Sequence, residues 1–177
     1  MNIIVIPTSK NPSRGLLKFG SKAYPCALGK EGVTLQKKEG DYKSPAGKFV
    51  IRNIYYRYDK LCQPLYSQVP LMAILKEDGW CDDPDDKAYN RPVNLPHHAS
   101  AEQFWRDDDL YDVIVVLGYN DTPAVAGKGS AIFMHISKNL NDRNYLGTEG
   151  CVALNKSDLL EILPMLTSNM ALEIKFD

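Results

Sequence analysis

The chain has almost no net charge: 21 lysines and arginines against 22 aspartates and glutamates leave −1. With a pI near 6.3, it supplies no basic field for nucleic acid or anionic lipid. Long apolar runs are missing too. Val113 to Leu117 is among the longest, far too short to cross a bilayer, so no integral membrane segment is expected. The first residues, Met1-Asn2-Ile3-Ile4-Val5-Ile6-Pro7, lack the basic region and cleavage site of a secretory leader and read as a short strand. That leaves a cytoplasmic chain, or an exported one whose leader lies outside this sequence. Cysteine is sparse. Cys26, Cys62, Cys81 and Cys151 show no zinc-ribbon or redox spacing and are too few for a disulfide scaffold at this size. The useful question is whether one of them is reactive. Cys26, in Tyr24-Pro25-Cys26-Ala27-Leu28, is most simply a strand thiol, and nothing singles out Cys62.

What is present suits one soluble domain: 177 residues, 44% apolar and 24% charged. There is no internal repeat. Strand-like runs cover Asn2 to Ile6, Ala23 to Leu28 and Gly47 to Tyr56, separated by glycine and proline. Asp112 to Leu117 and Ser130 to Ile136 are apolar at both parities, which predicts strands covered on both faces. Ser157 to Leu166 carries leucines and isoleucine at helical spacing behind a Ser157-Asp158 cap, with Pro164 set to end it early. Leu172, Ile174 and Phe176 alternate with Glu173 and Lys175 as a half-exposed final strand. The class is therefore mainly β with short helices (α+β). Lys76 to Tyr111 differs, being rich in Asp, Pro and aromatics. Long ordered loops are often lids, so residues 76–111 read as a cap inserted into the single 1–177 domain. Ser100-Ala101-Glu102-Gln103 has the form of a capping box and predicts a short helix there.

Cys151 lies in Leu146-Gly147-Thr148-Glu149-Gly150-Cys151-Val152-Ala153-Leu154. Gly150 permits a tight turn and clears the space beside the sulfur. Such a turn can aim the Gly150 and Cys151 amides at one point as an oxyanion hole. Taken alone, Cys151 reads more readily as a small buried thiol entering a strand. His135, 16 residues earlier at the end of Ser130-Ala131-Ile132-Phe133-Met134-His135, changes that balance. Adjacent strands can set imidazole beside thiol, lowering the thiol pKa and providing a base. A core histidine bonded to a carbonyl is the alternative, and spacing does not decide between them.

These two segments together resemble the catalytic signature of the YkuD-type L,D-transpeptidases: a histidine, a variable loop, then Ser or Thr, any residue, Gly, Cys and a β-branched residue. Gly40-Asp41-Tyr42-Lys43-Ser44-Pro45-Ala46-Gly47 is similar to the family's upstream segment. Gly79-Trp80-Cys81-Asp82-Asp83-Pro84, Tyr89-Asn90, Ser100-Ala101-Glu102 and Leu117-Gly118-Tyr119-Asn120-Asp121 resemble a proteobacterial branch with an extra segment near the site. The resemblance spans nearly the whole chain. It implies a YkuD-like fold, no cofactor, and a two-step acyl transfer between peptidoglycan stem peptides, one as donor and one as acceptor. Cys151 would be the nucleophile and His135 its base, with the Ile136 carbonyl orienting the ring and Gly150 shaping the turn. Thr148 fills the signature's Ser/Thr position, and Tyr119 is read as lining the oxyanion region. Many members carry Arg two positions after the cysteine. This chain has Ala153, so the cation available there is missing and the donor bond stays open.

His97-His98 with Cys81, Asp82 and Asp83 suggests zinc only weakly. Adjacent histidines seldom both ligate one ion and no metal motif is present, so no metal is expected. Asp82-Asp83-Pro84-Asp85-Asp86 lacks the glycine and distal glutamate of a calcium loop. Trp80 and Trp105 either anchor the insertion or line a cleft, with Asp82, Asp83, Glu102 and Arg106 as polar contacts. Two competitors stand beside the transferase: a hydrolase using the same Cys-His pair, and a catalytically silent peptidoglycan-binding module. The substrate argues for the cell envelope or periplasm; the N-terminus leaves the cytoplasm as the alternative.

Overall fold

The computed structural model describes residues 3–8, 10–61, 64–140 and 147–176. Met1, Asn2, Cys62 and Leu146, named above, lie outside them. In chain order the strands are β1 (Ile3–Thr8), β2 (Asn11–Phe19), β3 (Lys22–Ala27), β4 (Val33–Thr34), β5 (Ser44–Pro45), β6 (Gly47–Tyr56) and β7 (Leu71–Ala73). There follow β8 (Asp78–Cys81), β9 (Pro92–Asn94), β10 (Ala101–Gln103), β11 (Val113–Leu117), β12 (Phe133–Ile136) and β13 (Val152–Leu154). Helix α1 (Lys156–Ile162), a 3-10 turn (Leu163–Met165) and β14 (Ala171–Ile174) complete the chain.

The fold is mainly β, as the sequence predicts. A nine-stranded sheet runs β11-β12-β13-β3-β2-β1-β14-β6-β7, and a further β11–β6 pairing closes eight of those strands into a ring. Strand β6 is long enough to do this because its first half pairs with β14 and its second half with β11. Closure leaves few unpaired strand edges.

Side-chain alternation then divides the strands between two cores. Val113, Val115, Leu117, Met134, Ile136, Val152 and Leu154 belong to the interior cluster, closed at one end by Leu159, Ile162 and Leu163. Ile114, Val116, Phe133 and Cys151 belong to a second cluster on the outer face, with Trp80, Phe104 and Tyr111 from the 76–111 stretch. Both faces of β11 and β12 are buried, which is why neither run alternates in polarity.

The 76–111 stretch folds around its own three-stranded sheet, β10-β8-β9. Phe104 and Trp80 meet Phe133 of the barrel at ring distances of 5.7 and 5.3 Å. The helix expected at Ser100 is instead strand β10, paired antiparallel so that Glu102 opposes Trp80. A local capping pattern is worth about 1 kcal/mol, less than burying Phe104 and pairing β8. Helix α1 begins one residue before the expected Ser157, after Asn155, and turns 3-10 where Pro164 enters. Strand β2 is not among the strand-like runs of the sequence, since its first half is Asn11-Pro12-Ser13-Arg14-Gly15. Its inward positions Ser13, Gly15, Leu17 and Phe19 do alternate with exposed ones, but two of the four carry no apolar signal. Gly15 is needed, since a Cβ there would meet the Ile6 carbonyl oxygen at 2.9 Å.

Phe104 is 1% exposed at the centre of this outer cluster. Phe104→Ala should lower unfolding stability by about 3–5 kcal/mol, read from urea midpoints. A loss below about 1 kcal/mol would mean that the 76–111 stretch packs independently of the barrel.

Candidate active site

Strands β12 and β13 run parallel, with His135 opposite Ala153. Cys151 precedes β13 by one residue, so Cys151 and His135 project from the same outer face of neighbouring strands. They line one cavity of about 500 Å³. Lys37, Asp82, Glu102, Arg106, Tyr111 and Glu149 also border it.

The turn that presents the thiol is fixed residue by residue. Gly150 has φ +150°, and a Cβ there would lie 3.0 Å from the Lys43 carbonyl oxygen and 3.2 Å from Ile132 Cδ1. Only glycine fits. The fully buried Ser44 hydroxyl donates to the Gly150 carbonyl at 2.7 Å and accepts the Gly29 amide at 2.9 Å. Thr148 Oγ1 donates to the Cys151 carbonyl at 2.7 Å and accepts the Gly150 N–H at 3.2 Å. Thr148 thus braces the turn, and the Gly150 amide foreseen as an oxyanion donor is engaged within it.

His135 donates from Nδ1 to the Ile136 carbonyl at 2.9 Å, the carbonyl the resemblance implies. That bond fixes the tautomer and leaves Nε2 as the acceptor. The Tyr111 ring stands edge-on to the imidazole at 5.3 Å. Burial draws the His135 pKa down to about 4, against the partial support of the Ile136 bond. Cys151 moves the other way. Burial, then the Glu102 carboxylate, push its thiol up to about 12, opposed by the Phe133 amide and Lys37. The expected lowering of the thiol pKa by the imidazole is therefore reversed, because both groups lose water. At rest both the thiol and the imidazole are neutral. The thiol donates to the Ala131 carbonyl at 3.2 Å and accepts the Phe133 N–H at 3.3 Å.

Ala131 holds φ +51°, strained for a residue with a Cβ. Asn90 keeps it there. Its Oδ1 accepts the Ala131 amide at 3.0 Å and the Trp80 indole N–H at 2.9 Å, while its Nδ2 donates to the Tyr119 and Asn120 carbonyls. Sequence reasoning quoted Asn90 only within a motif and missed this part. It also missed Tyr111, whose hydroxyl pairs with Glu102, and Lys37, held by Asp41 at 2.5 Å. No spacing marks any of them; only the tertiary pairing does.

The sequence-predicted contacts divide accordingly. Asp82, Glu102, Arg106 and Thr148 border the cavity. Glu102 is pushed up to about 7, mainly by burial. Arg106 is paired with Asp108 at 2.6 Å. Asp83 instead caps the Asp85 amide at 3.0 Å. Trp80, 8% exposed, is an anchor in the outer core rather than a wall of this cavity. Trp105 stacks under the Arg57 guanidinium at 3.7 Å. Tyr119 donates to the Lys128 carbonyl and packs on Phe49, bordering a smaller cavity of about 200 Å³. Ala153 packs beside Ala27 and Leu140, and among the described residues the cations that border the cavity are Lys37, Arg106 and Lys138.

A glycine-framed thiol and a tautomer-fixed imidazole in one cavity are chemically equipped for cysteine acyl transfer. The L,D-transpeptidase catalytic domain, YkuD, matches residues 17–174, and the chain belongs to that family. No curated protein sequence matches it. Among solved structures, Bdellovibrio bacteriovorus Bd1075 is similar at 12% identity and a TM-score of 0.42, over 98% of this chain and 48% of that one. The chain thus spans about half of that protein's length. Among the described residues no helix is long and apolar enough to cross a membrane.

With the His135 imidazole lowered to about 4 from 6.5, an alkylation of Cys151 that relies on it as base should hold its rate down to pH 5. Protonation removes the base only below that. His135→Ala should slow it about 100-fold at pH 7 and make the rate climb with pH toward the thiol's own ionisation. Peptide mapping of iodoacetamide adducts reads both; an unchanged rate in His135→Ala would make His135 a core histidine.

Proposed function

We propose that this protein is a peptidoglycan L,D-transpeptidase, forming cross-links between stem peptides through a thioester on Cys151, and that it works in the cell envelope where that polymer lies. The observation that carries this reading is the placement of Cys151 and His135 on one face of neighbouring strands, with Nδ1 tied to the Ile136 carbonyl. As the donor enters, the thiol exchanges its Ala131 contact for His135 Nε2. Sulfur attacks the stem-peptide carbonyl as the S–H proton passes to the imidazole. The tetrahedral intermediate collapses, and the leaving amine takes that proton. A second stem's side-chain amine then attacks the thioester, gives its surplus proton to His135, and the restored thiol departs.

The charges around the cavity suit such substrates. Asp82, Glu102 and Glu149 border it together with Lys37, Arg106 and Lys138, matching stem peptides that carry both ammonium and carboxylate groups. The 76–111 stretch, as a cap over the single domain, keeps bulk water from the thioester and holds the acceptor near it. This favours amine over water.

Incubation with purified disaccharide-peptides of mixed stem length should give cross-linked dimers by mass spectrometry, and none with Cys151→Ala. Trimmed monomers alone, even at high acceptor concentration, would make the protein a hydrolase. Binding without either product would make it a silent module.

A further inference from the structure

Outside the catalytic cavity, the 76–111 stretch gathers a second set of chemically capable side chains. Cys81, Asp86 and His97 bring one sulfur, one carboxylate oxygen and one imidazole nitrogen within 4.8 Å of one another. None of them borders the cavity of Cys151. Cys81 ends β8 and is fully buried. The Asp86 and His97 side chains are 7% and 14% exposed.

The geometry is hard to explain without an occupant. His97 Nε2 is buried and has no hydrogen-bond partner, a costly state for an imidazole nitrogen. It lies 3.6 Å from Asp86 Oδ1, too far for a hydrogen bond. Yet two ligands of a tetrahedral ion with bonds of about 2.0–2.3 Å stand roughly 3.3–3.8 Å apart. The donors are also held from behind, as metal ligands are. Asp86 Oδ1 accepts the Ala88 N–H at 2.6 Å, and Asp86 Oδ2 pairs with the exposed His98 at 2.5 Å. The Asp83 amide is directed at the Cys81 sulfur, and the Asp82, Asp83 and Asp86 carboxylates surround it with negative potential.

We propose that Cys81, Asp86 and His97 bind one zinc-like divalent ion, with water in the fourth position. A sulfur, a nitrogen and a single carboxylate suit zinc; magnesium and calcium want oxygen alone. On binding, the Cys81 S–H bond breaks, its proton goes to solvent, and the thiolate takes the metal. The sequence alone argues against zinc, because adjacent histidines seldom both ligate one ion and no metal motif is present. The fold selects a set with one histidine, and an aspartate three residues beyond Asp83. The ion ties the end of β8 to the turn after it and to the segment following β9. Asp82, next to Cys81, borders the catalytic cavity, and Asn90 holds Ala131. The site is therefore a staple for the wall of the active site, and it stands whether or not the transferase reading does.

The test uses the full chain as Cys151→Ala, so that the catalytic thiol cannot ligate. After EDTA treatment and dialysis, cobalt(II) titration should saturate at one equivalent and raise a thiolate-to-cobalt band in the near ultraviolet, which zinc then displaces. Cys81→Ser should abolish the band. His97→Ala should weaken zinc binding about 10- to 100-fold in a competition with a chromogenic chelator, with circular dichroism confirming the fold. If Cys81→Ser fails to fold, His97→Ala decides. No stoichiometric binding by the folded parent, a band that survives Cys81→Ser, or unchanged affinity in His97→Ala would overturn the proposal.

Discussion

The outer face of β11 and β12 cannot be left to water. Ile114, Val116 and Phe133 are apolar and belong to a wall of the barrel that the interior core does not cover. Something must lie over them, and the 76–111 stretch supplies Trp80, Phe104 and Tyr111. Covering that face buries His135 and Cys151 as well, because they project from the same side. A packing demand thereby becomes a chemical one: the reactive pair loses its water.

The consequence is a thiol raised to about 12 and an imidazole lowered to about 4. A pre-formed thiolate–imidazolium pair is a poor description of such a site. In the proposed mechanism the proton moves as the bond to carbon forms, and an environment that disfavours free ions also shields a thioester from water. Glu102 and Tyr111 share in this. Both titrate upward through burial, and Glu102 further discourages the Cys151 thiolate. The 76–111 stretch thus sets the electrostatics of the thiol as well as covering the outer face.

Much of this was legible in the sequence where the signal was local. Gly47 to Tyr56 reads as a strand and is one, end to end. Gly150-Cys151 and His135 carry the signature, and the Ile136 carbonyl sits where the family implies. What was hidden depends on distant partners. Strand β2 has glycine and serine at inward positions, so its period shows only in burial. The capping pattern at Ser100 gives way to pairing with β8. Asn90 binds four groups from 10 to 41 residues away, and no motif encodes that reach. Trp80 and Tyr119 look like cleft residues by type, yet they border the smaller cavity and not that of Cys151. Asp86 and His97 meet Cys81 only because β8 and β9 pair.

The central claim is that Cys151, dry and neutral at rest, is the acylated residue and needs His135 to react. Intact-mass spectrometry with a carbapenem, a class that acylates the cysteine of this family, tests it most directly. The account predicts one adduct per parent chain, mapped to Cys151, none on Cys151→Ala, and formation at least about 100-fold slower on His135→Ala. An adduct that persists on Cys151→Ala, or forms at the parent rate without His135, would contradict it.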